Sequence, residues 1–193
     1  MKRLALDRHG WLAAHPDVIL RPSPNFDRRP HAAAPSLLVI HNISLPPGAF
    51  GGAEVVDFFL NRLDYASHPW LERLKGMTVS AHFFVRRPGQ IVQLVSTAQR
   101  AWHAGVSSFE GRERCNDFSI GIELEGTDTA PYTDAQYQAL GGLSRTLRDR
   151  YPLRAVRGHE HIAPGRKTDP GPTFDWNRLA RDAGWPRRLL PGA

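Results

Sequence analysis

The strand that organises this sequence is predicted at Ser36-Leu37-Leu38-Val39-Ile40-His41-Asn42, a short apolar run that ends in two polar residues. Pro35 precedes the run, and the turn-forming residues Pro46-Pro47-Gly48 follow it. An apolar run of this length between such residues predicts a buried strand. Ligands of open α/β sheets usually lie beyond the strand tips. His41 is therefore either a ligand-site residue or a strand-end histidine with one structural hydrogen bond, and the segment alone leaves both interpretations open.

Further strands are predicted on both sides of a turn and in one alternating segment. Residues 78–87 and 90–95 flank the turn dipeptide Pro88-Gly89 and therefore predict a hairpin. Within its first strand, His82 is interpreted as a core histidine with satisfied hydrogen bonds, and metal ligation is the alternative. Residues 118–126 alternate between apolar and polar side chains, which predicts a strand with one buried face.

The polar face of the alternating strand carries two carboxylates, Glu123 and Glu125, two residues apart. Such a pair is usually solvated surface, but it can also line a cleft in which one carboxylate acts as a base. Gly121 on the same face is expected to leave open space beside Glu123. This expectation favours the cleft.

Helices are predicted between the strands. Residues 53–60 have apolar side chains at helical spacing. Thr133-Asp134-Ala135-Gln136 fits a capping box, so a helix is expected over residues 134–150. Gly141-Gly142 inside that helix costs roughly 1 kcal/mol per glycine relative to alanine, which predicts close packing against the sheet. A last helix is predicted over residues 175–182, before a glycine and a proline.

The chain has the length of one domain with a sizeable core, at 193 residues. Its elements predict an α/β fold with a mixed central sheet flanked by helices, over residues 36–185. Residues 1–35 are expected to form an amino-terminal arm, with a short helix at residues 11–14 and an irregular segment at residues 21–35. Residues 186–193 are expected to be a weakly ordered tail.

Composition limits the choice of partner. The net charge of +6 suits nucleic acid, a membrane surface or an acidic small substrate. The basic residues are scattered, which argues against a nucleic-acid-binding tail. The sequence has no membrane-span candidate, no signal-peptide pattern and a single cysteine, Cys115, which cannot form an internal disulfide. We therefore expect a cytoplasmic monomer with neither nucleic-acid nor membrane partners.

A polar loop near the carboxyl end, residues 158–172, contains three prolines and three glycines together with His159, Lys167 and Asp169. Prolines fix φ and glycines permit turns, so such a loop can hold polar side chains in one arrangement. An imidazole and a carboxylate are two of the ligand types that zinc accepts. A polar loop without this function is the alternative interpretation.

With His41, this loop offers two histidines and one carboxylate, which leave a fourth position open for water on a tetrahedral zinc ion. Bound zinc lowers the pKa of water to about 7 and polarises a carbonyl oxygen, as amide hydrolysis requires. Glu123 is a candidate base for the water's proton, and the Lys167 ammonium can stabilise an oxyanion. The spacings match no local zinc signature such as H-E-x-x-H, so this zinc site is a hypothesis.

Three segments carry a likeness to a known family: residues 36–48 (SLLVIHNISLPPG), residues 100–126 (RAWHAGVSSFEGRERCNDFSIGIELEG) and residues 162–171 (IAPGRKTDPG). Through them the chain resembles the AmpD-type 1,6-anhydro-N-acetylmuramoyl-L-alanine amidases. These enzymes belong to the zinc amidase family, which also includes phage amidase-type lysozymes and peptidoglycan recognition proteins. The likeness extends from about Gly10 to Trp176 and is far more specific than a short motif.

The resemblance implies roles for individual residues. By this resemblance, the zinc ligands would be His41, His159 and Asp169. Glu123 would be the acid/base residue, and Lys167 would stabilise the transition state. Asn42 and Arg114 would contact the stem peptide, and Trp102 would lie beside the sugar. Thr78 stands where the family has a basic residue, and Arg73 or Lys75 is the candidate replacement. His161 stands where an amide is more frequent, and we expect a surface or supporting role, with a spare ligand as the alternative.

The activity implied by the resemblance is zinc-dependent cleavage of the amide between the lactyl group of anhydro-N-acetylmuramic acid and L-alanine of the stem peptide. The partner would then be a small anhydromuramoyl peptide. The family role is cytoplasmic recycling of cell-wall fragments, and in some bacteria its loss derepresses a β-lactamase. A non-catalytic muropeptide-binding module, a zinc peptidase acting on the stem peptide and a nucleic-acid-binding protein are the competing interpretations.

Overall fold

The computed structural model of this protein describes residues 3–30 and 34–192. Its strands are β1 (Val18–Leu20), β2 (Phe26–Asp27), β3 (Leu37–Ile43), β4 (Phe83–Val85), β5 (Ile91–Gln93), β6 (Arg100–Ala101), β7 (Ser108–Phe109), β8 (Arg112–Glu113), β9 (Ser119–Glu125) and β10 (Ala155–Gly158). Its α-helices are α1 (Glu54–Phe59), α2 (Asp134–Arg150), α3 (His159–Ile162) and α4 (Trp176–Ala183). Short 3₁₀ helices lie at Tyr65–Ser67, Leu71–Leu74, Cys115–Asp117 and Arg187–Leu189.

The central sheet has the strand order β1-β5-β4-β9-β3-β10. Strand β3 pairs in parallel with both β9 and β10, and β4 pairs in parallel with β9. The hairpin of β4 and β5 is antiparallel, as its turn dipeptide predicted. The sheet is therefore mixed, which confirms the predicted fold class. The apolar run of β3 is fully buried because the sheet is covered on both faces.

The two faces of the sheet have different coverings. On one face, alternate residues of β3 and β9 pack into a core with α2 and α4. On the other face, Phe84 and Val92 pack into a second core with α1. The same second face of β3 and β9 carries His41 and Glu123, so the polar side chains lie on the side away from α2.

Helix α2 begins with the predicted capping box, in which the Thr133 side chain accepts from the backbone N–H of Gln136. The prediction that Gly141 packs against the sheet is wrong. A Cβ at Gly141 would lie 3.2 Å from the carbonyl oxygen of Asp182, so the glycine permits close packing against α4. Helix α4 lies one residue further along the chain than the predicted helix over residues 175–182, with Asp175 as its N-cap. Among residues 3–30 and 34–192, no helix combines the length and the apolar composition of a membrane span.

Much of the predicted amino-terminal arm is part of the folded core. The expected helix at residues 11–14 is absent, and Leu12 instead forms an isolated antiparallel bridge with Leu6. Leu4 and Leu12 are buried in the core beneath α2. The segment predicted to be irregular contains β2, which pairs with β6, and β1 precedes it in the central sheet. Local sequence propensity did not predict these strands, because they are stabilised by pairing with distant segments of the chain.

The carboxyl-terminal tail is also packed, contrary to expectation. Leu190 is buried in the main core, and a 3₁₀ helix precedes it. Residues 1–2 and 31–33 of the arm, and Ala193 of the tail, lie outside the described residues. The division at residues 36 and 185 stays a prediction, although both flanking segments contribute to one core.

Candidate functional site

His41 and Glu123 are register partners on neighbouring inner strands, β3 and β9. His41 was expected at the end of its strand, but β3 continues to Ile43 because its pairing with β9 continues to that residue. His41 lies on an inner strand of the sheet and not on an edge strand. Partners in a parallel ladder point to the same face, so both side chains face one side of the sheet.

Three predicted ligands converge at this face: His41, His159 and Asp169. The Nδ1 atoms of the two histidines are 3.0 Å apart. The Oδ2 atom of Asp169 lies 3.0 Å from Nδ1 of His41 and 3.1 Å from Nδ1 of His159. The loop is tied to α3 by a hydrogen bond from the backbone N–H of Glu160 to the carbonyl of Asp169. The fold therefore brings together residues that are 118 and 128 positions apart in the chain.

The protonation of the cluster fits a bound cation. Nε2 of His159 lies 3.0 Å from the carbonyl oxygen of Ala104, which only accepts, so this nitrogen carries the proton and a neutral His159 has a bare Nδ1. Burial lowers the pKa of His41 to about 4, which keeps it neutral near pH 7. Two imidazole lone pairs and a carboxylate then face one point, which is the donor set of a zinc site.

Glu123 is buried beside this cluster, and its Oε2 atom has no hydrogen-bond partner among the described residues. Burial raises the pKa of the Glu123 carboxyl well above its usual value, and the charge of Asp169 raises it further, while Lys167 acts in the opposite direction. A carboxyl with a raised pKa in a cleft has the properties of a general acid and base.

A cavity of about 600 Å³ opens beside the cluster. Polar residues on its wall include Asn42, Trp102, His103, Glu123, Asp128, His159, Arg166, Lys167 and Asp169. Apolar residues on its wall include Phe58, Phe59, Trp70, Leu74, Met77 and Val79. The cavity therefore combines ionisable groups with apolar and aromatic surface.

The three predicted substrate contacts lie in different environments. Asn42 reaches the cavity, but its side-chain amide donates to Oδ1 of Asp128 at 2.8 Å and to the carbonyl of Pro170 at 3.2 Å. Trp102 also lines the cavity, and its indole nitrogen is buried without a partner among the described residues. Arg114 is not on the described cavity wall: its side chain is 71% exposed, with Nε 3.3 Å from Asp117.

None of the basic candidates near Thr78 reaches the described cavity wall, where Arg166 is present instead. The guanidinium of Arg166 donates to the carbonyl of Ala104 at 2.8 Å, which fixes its position at the cavity wall. The sequence analysis did not select this residue, although it directly precedes Lys167. A basic side chain next to a predicted site residue was the available signal.

His82 and His161, the two other histidines weighed as ligands in the sequence, both accept hydrogen bonds from the backbone. Nδ1 of His82 accepts from the backbone N–H of Gly121 at 3.0 Å, which confirms its interpretation as a core histidine. Nδ1 of His161 accepts from the backbone N–H of Gly158 at 3.0 Å, and its ring packs edge-on against Trp176. Neither residue belongs to the described cluster that could hold a metal ion.

His103 is a site residue that the sequence analysis missed. Its ring fills the space expected to be open beside Glu123, because a Cβ at Gly121 would lie only 2.5 Å from Cγ of His103. Burial lowers the pKa of His103 well below its usual value. The signal available in the sequence was a glycine on the polar face of a buried strand, which indicates close approach by another group.

A sequence profile described as N-acetylmuramoyl-L-alanine amidase matches residues 31–172 of this chain. The chain belongs to the N-acetylmuramoyl-L-alanine amidase family. This membership confirms the predicted family and the predicted class of enzyme. The ligand, catalytic and substrate-binding roles of individual residues stay predictions.

Members of this amidase family with high identity are known. The 1,6-anhydro-N-acetylmuramyl-L-alanine amidase AmpD of Citrobacter freundii is 58% identical over 172 residues, which cover 88% of this chain and 90% of the relative. The crystal structure of a selenomethionine AmpD derivative superposes with a TM-score of 0.87 at 54% identity, over 92% of this chain and 98% of that one.

A further structure in the family contains a substrate. The Escherichia coli amidase AmiD, in complex with the substrate anhydro-N-acetylmuramic acid-L-Ala-D-γ-Glu-L-Lys, superposes with a TM-score of 0.57 at 32% identity. The match covers 94% of this chain and 66% of AmiD.

Proposed function

We propose that this protein is a zinc-dependent amidase that cleaves the bond between (1,6-anhydro-)N-acetylmuramic acid and L-alanine of the stem peptide. The observation that carries this proposal is the convergence of His41, His159 and Asp169 beside a buried carboxyl and a lysine in one cavity. The high identity to AmpD supports the same substrate, and AmiD binds a substrate of this class.

Zinc would be held by His41, His159 and Asp169, whose three ligand atoms lie within 4.8 Å of one another. When bound, it supplies a Lewis acid for a carbonyl oxygen and lowers the pKa of water. The aspartate compensates part of the ion's charge. The two buried imidazoles keep the site's donors in fixed positions.

Glu123 is the proposed general base and acid. Its carboxyl lines the cavity and can accept a proton from the attacking water and return it to the amide nitrogen of the leaving L-alanine. Lys167 is the proposed stabiliser of the oxyanion, because its flexible ammonium borders the same cavity. Because Glu123 is buried, bulk water screens its carboxylate less, and its electrostatic interaction with Lys167 is stronger.

Substrate binding is proposed to follow the polarity of the cavity. Arg166 and Lys167 offer positive charge to the carboxylates of a stem peptide, which also agrees with the net charge of +6. Trp102 lines the same cavity and is the proposed contact for the sugar. Asn42 is held by hydrogen bonds from its amide to Asp128 and the Pro170 backbone, and it is the proposed contact for the stem peptide.

We infer that this activity serves the recycling of cell-wall muropeptides in the cytoplasm, by a monomer. Identity to AmpD over most of both chains supports the assignment to recycling. Fractionation of cells with an antibody to the protein, and light scattering of the purified chain, test compartment and oligomeric state.

The test of the activity is to incubate the purified protein with anhydromuramoyl-tripeptide, with and without a chelator, and to identify the products by mass. We expect release of the intact L-alanyl peptide, loss of this activity with the chelator, and its recovery when zinc is added. A zinc-replete protein that binds the muropeptide without cleaving it would be a binding module. Cleavage within the peptide would instead identify a peptidase.

A further inference from the structure

The ring of His103 lies between a predicted zinc ligand and a serine of the central sheet. Its Nδ1 atom is 2.9 Å from Nε2 of His41. Its Nε2 atom is 3.1 Å from Oγ of Ser119. The absence of a side chain at Gly121 makes room for the ring, since a Cβ there would overlap it. Both ring nitrogens of His103 therefore have a partner, and His41 is one of them.

These contacts determine where the protons lie. A His41 that presents the lone pair of Nδ1 to a cation carries its proton on Nε2, and this proton points at Nδ1 of His103. His103 then accepts at Nδ1, carries its own proton on Nε2 and donates it to Ser119. Each ring has a single tautomer that satisfies all its neighbours. The opposite tautomer of His103 would place two N–H groups against each other.

The backbone around His103 is also fixed by hydrogen bonds. The backbone N–H groups of His103 and Ala104 both donate to Oδ1 of Asn116, at 3.1 and 2.8 Å. The carbonyl of Ala104 in turn accepts from Nε2 of His159. Two consecutive residues thus contact the outer nitrogens of both histidine ligands, His103 by its side chain and Ala104 by its carbonyl.

We propose that His103 is a positioning residue that fixes the tautomer and ring orientation of His41 for metal binding. The inference rests on the proposed zinc site and adds to it a residue that acts through His41 and is not itself a proposed ligand. Hydrogen-bond partners of metal-binding histidines typically change metal affinity by about 10- to 100-fold when they are replaced. The same loss is expected when the acceptor at His103 is removed.

Two replacements of His103 separate the effect of losing the hydrogen-bond acceptor from the effect of losing side-chain packing. His103→Leu fills the space above Gly121 without an acceptor, whereas His103→Asn retains an acceptor oxygen close to the position of Nδ1. Zinc affinity is measured by competition between each apo-protein and a chromogenic chelator for Zn²⁺. We expect about 10- to 100-fold weaker binding for His103→Leu and recovery of most of that loss for His103→Asn. Equal affinities of wild type and His103→Leu, or equal losses in both variants, would overturn the proposal.

A second measurement requires no variant to fold. Long-range ¹H–¹⁵N correlation spectra of the zinc-loaded wild-type protein report which ring nitrogen of each histidine carries a proton. We expect Nε2–H for both His41 and His103, and a proton on Nδ1 of His103 contradicts the proposal. A wild-type protein that binds no zinc would overturn the proposed function and this inference with it. Zinc binding together with the wrong His103 tautomer overturns this inference alone.

Discussion

Glu123 combines burial, a raised pKa and an unpartnered oxygen beside the proposed metal site. Its replacement should remove proton transfer without removing metal. We expect Glu123→Gln to lower kcat by roughly 10²–10⁴-fold, since this is the usual contribution of a general acid–base group. Zinc content, measured by atomic absorption, should stay at the wild-type level. A fully active variant would exclude Glu123 from the reaction.

Asp169 is the one carboxylate in the described His-His-Asp cluster. Asp169→Ala leaves two histidines and no negative charge, so zinc stoichiometry and amidase activity should fall together. Glu160→Gln is the matched control, because Glu160 lies in the same region of the chain but outside the described cluster. The control should retain zinc, as measured after dialysis against a metal-free buffer. Unchanged zinc in Asp169→Ala would mean that the proposed ligand set is wrong.

Helix α2 contains adjacent glycines with different surroundings. A Cβ at Gly142 would have only Leu4 Cδ1 nearby, at 3.9 Å, whereas one at Gly141 would press on the backbone of α4. Alanine is favoured over glycine in a helix interior by about 1 kcal/mol. We expect Gly142→Ala to raise the free energy of unfolding by ~1 kcal/mol. Gly141→Ala should gain less, because the contact with Asp182 opposes the helical preference.

Urea unfolding of the metal-free proteins measures both changes under one condition. Each glycine is the control for the other, since their positions in the helix and their backbone entropies are matched. Equal stabilisation by the two replacements would show that α4 moves away from Gly141 without cost. In that case the close packing of the two helices would not explain the glycine.

In the metal-free protein as a whole, ionisation of Glu123 should lower the free energy of unfolding in a pH-dependent way. Its pKa is raised in the folded state, so the folded chain retains a proton that the unfolded chain has lost above a pKa of about 4.3. The contribution of this group to stability is therefore greatest at low pH and declines as pH rises from that value toward the folded-state pKa.

Glu123→Gln removes this ionisation while it preserves size and polarity. We expect the variant to gain thermal stability relative to wild type as pH rises from 4 to 8, with both proteins kept metal-free by a chelator. The comparison cancels the titration of His41 and Asp169, which both proteins share. A difference in Tm that is constant across this pH range would show that Glu123 titrates in the same way in both the folded and the unfolded chain.

Local pattern in the sequence was sufficient for the main elements and for part of the site. The apolar run of β3, the alternation in β9 and the capping box of α2 depend on neighbours within a few residues, and the structure has each of them. Resemblance over most of the chain identified the family. His41, His159 and Asp169 followed from the resemblance, because ligand chemistry restricts residue type but not spacing along the chain.

Other features depended on contacts between distant segments. The pairing of β1 with β5, the packing of Gly141 against α4 and the position of the His103 ring join residues tens of positions apart. No periodicity within a segment encodes such contacts, since their free energy comes from burial and hydrogen bonding after the chain has folded. Local pattern and resemblance were therefore sufficient to predict the family, the principal elements and the candidate ligands. The groups that surround those ligands could be identified only in the folded chain, because hydrogen-bond partners are selected by distance in space.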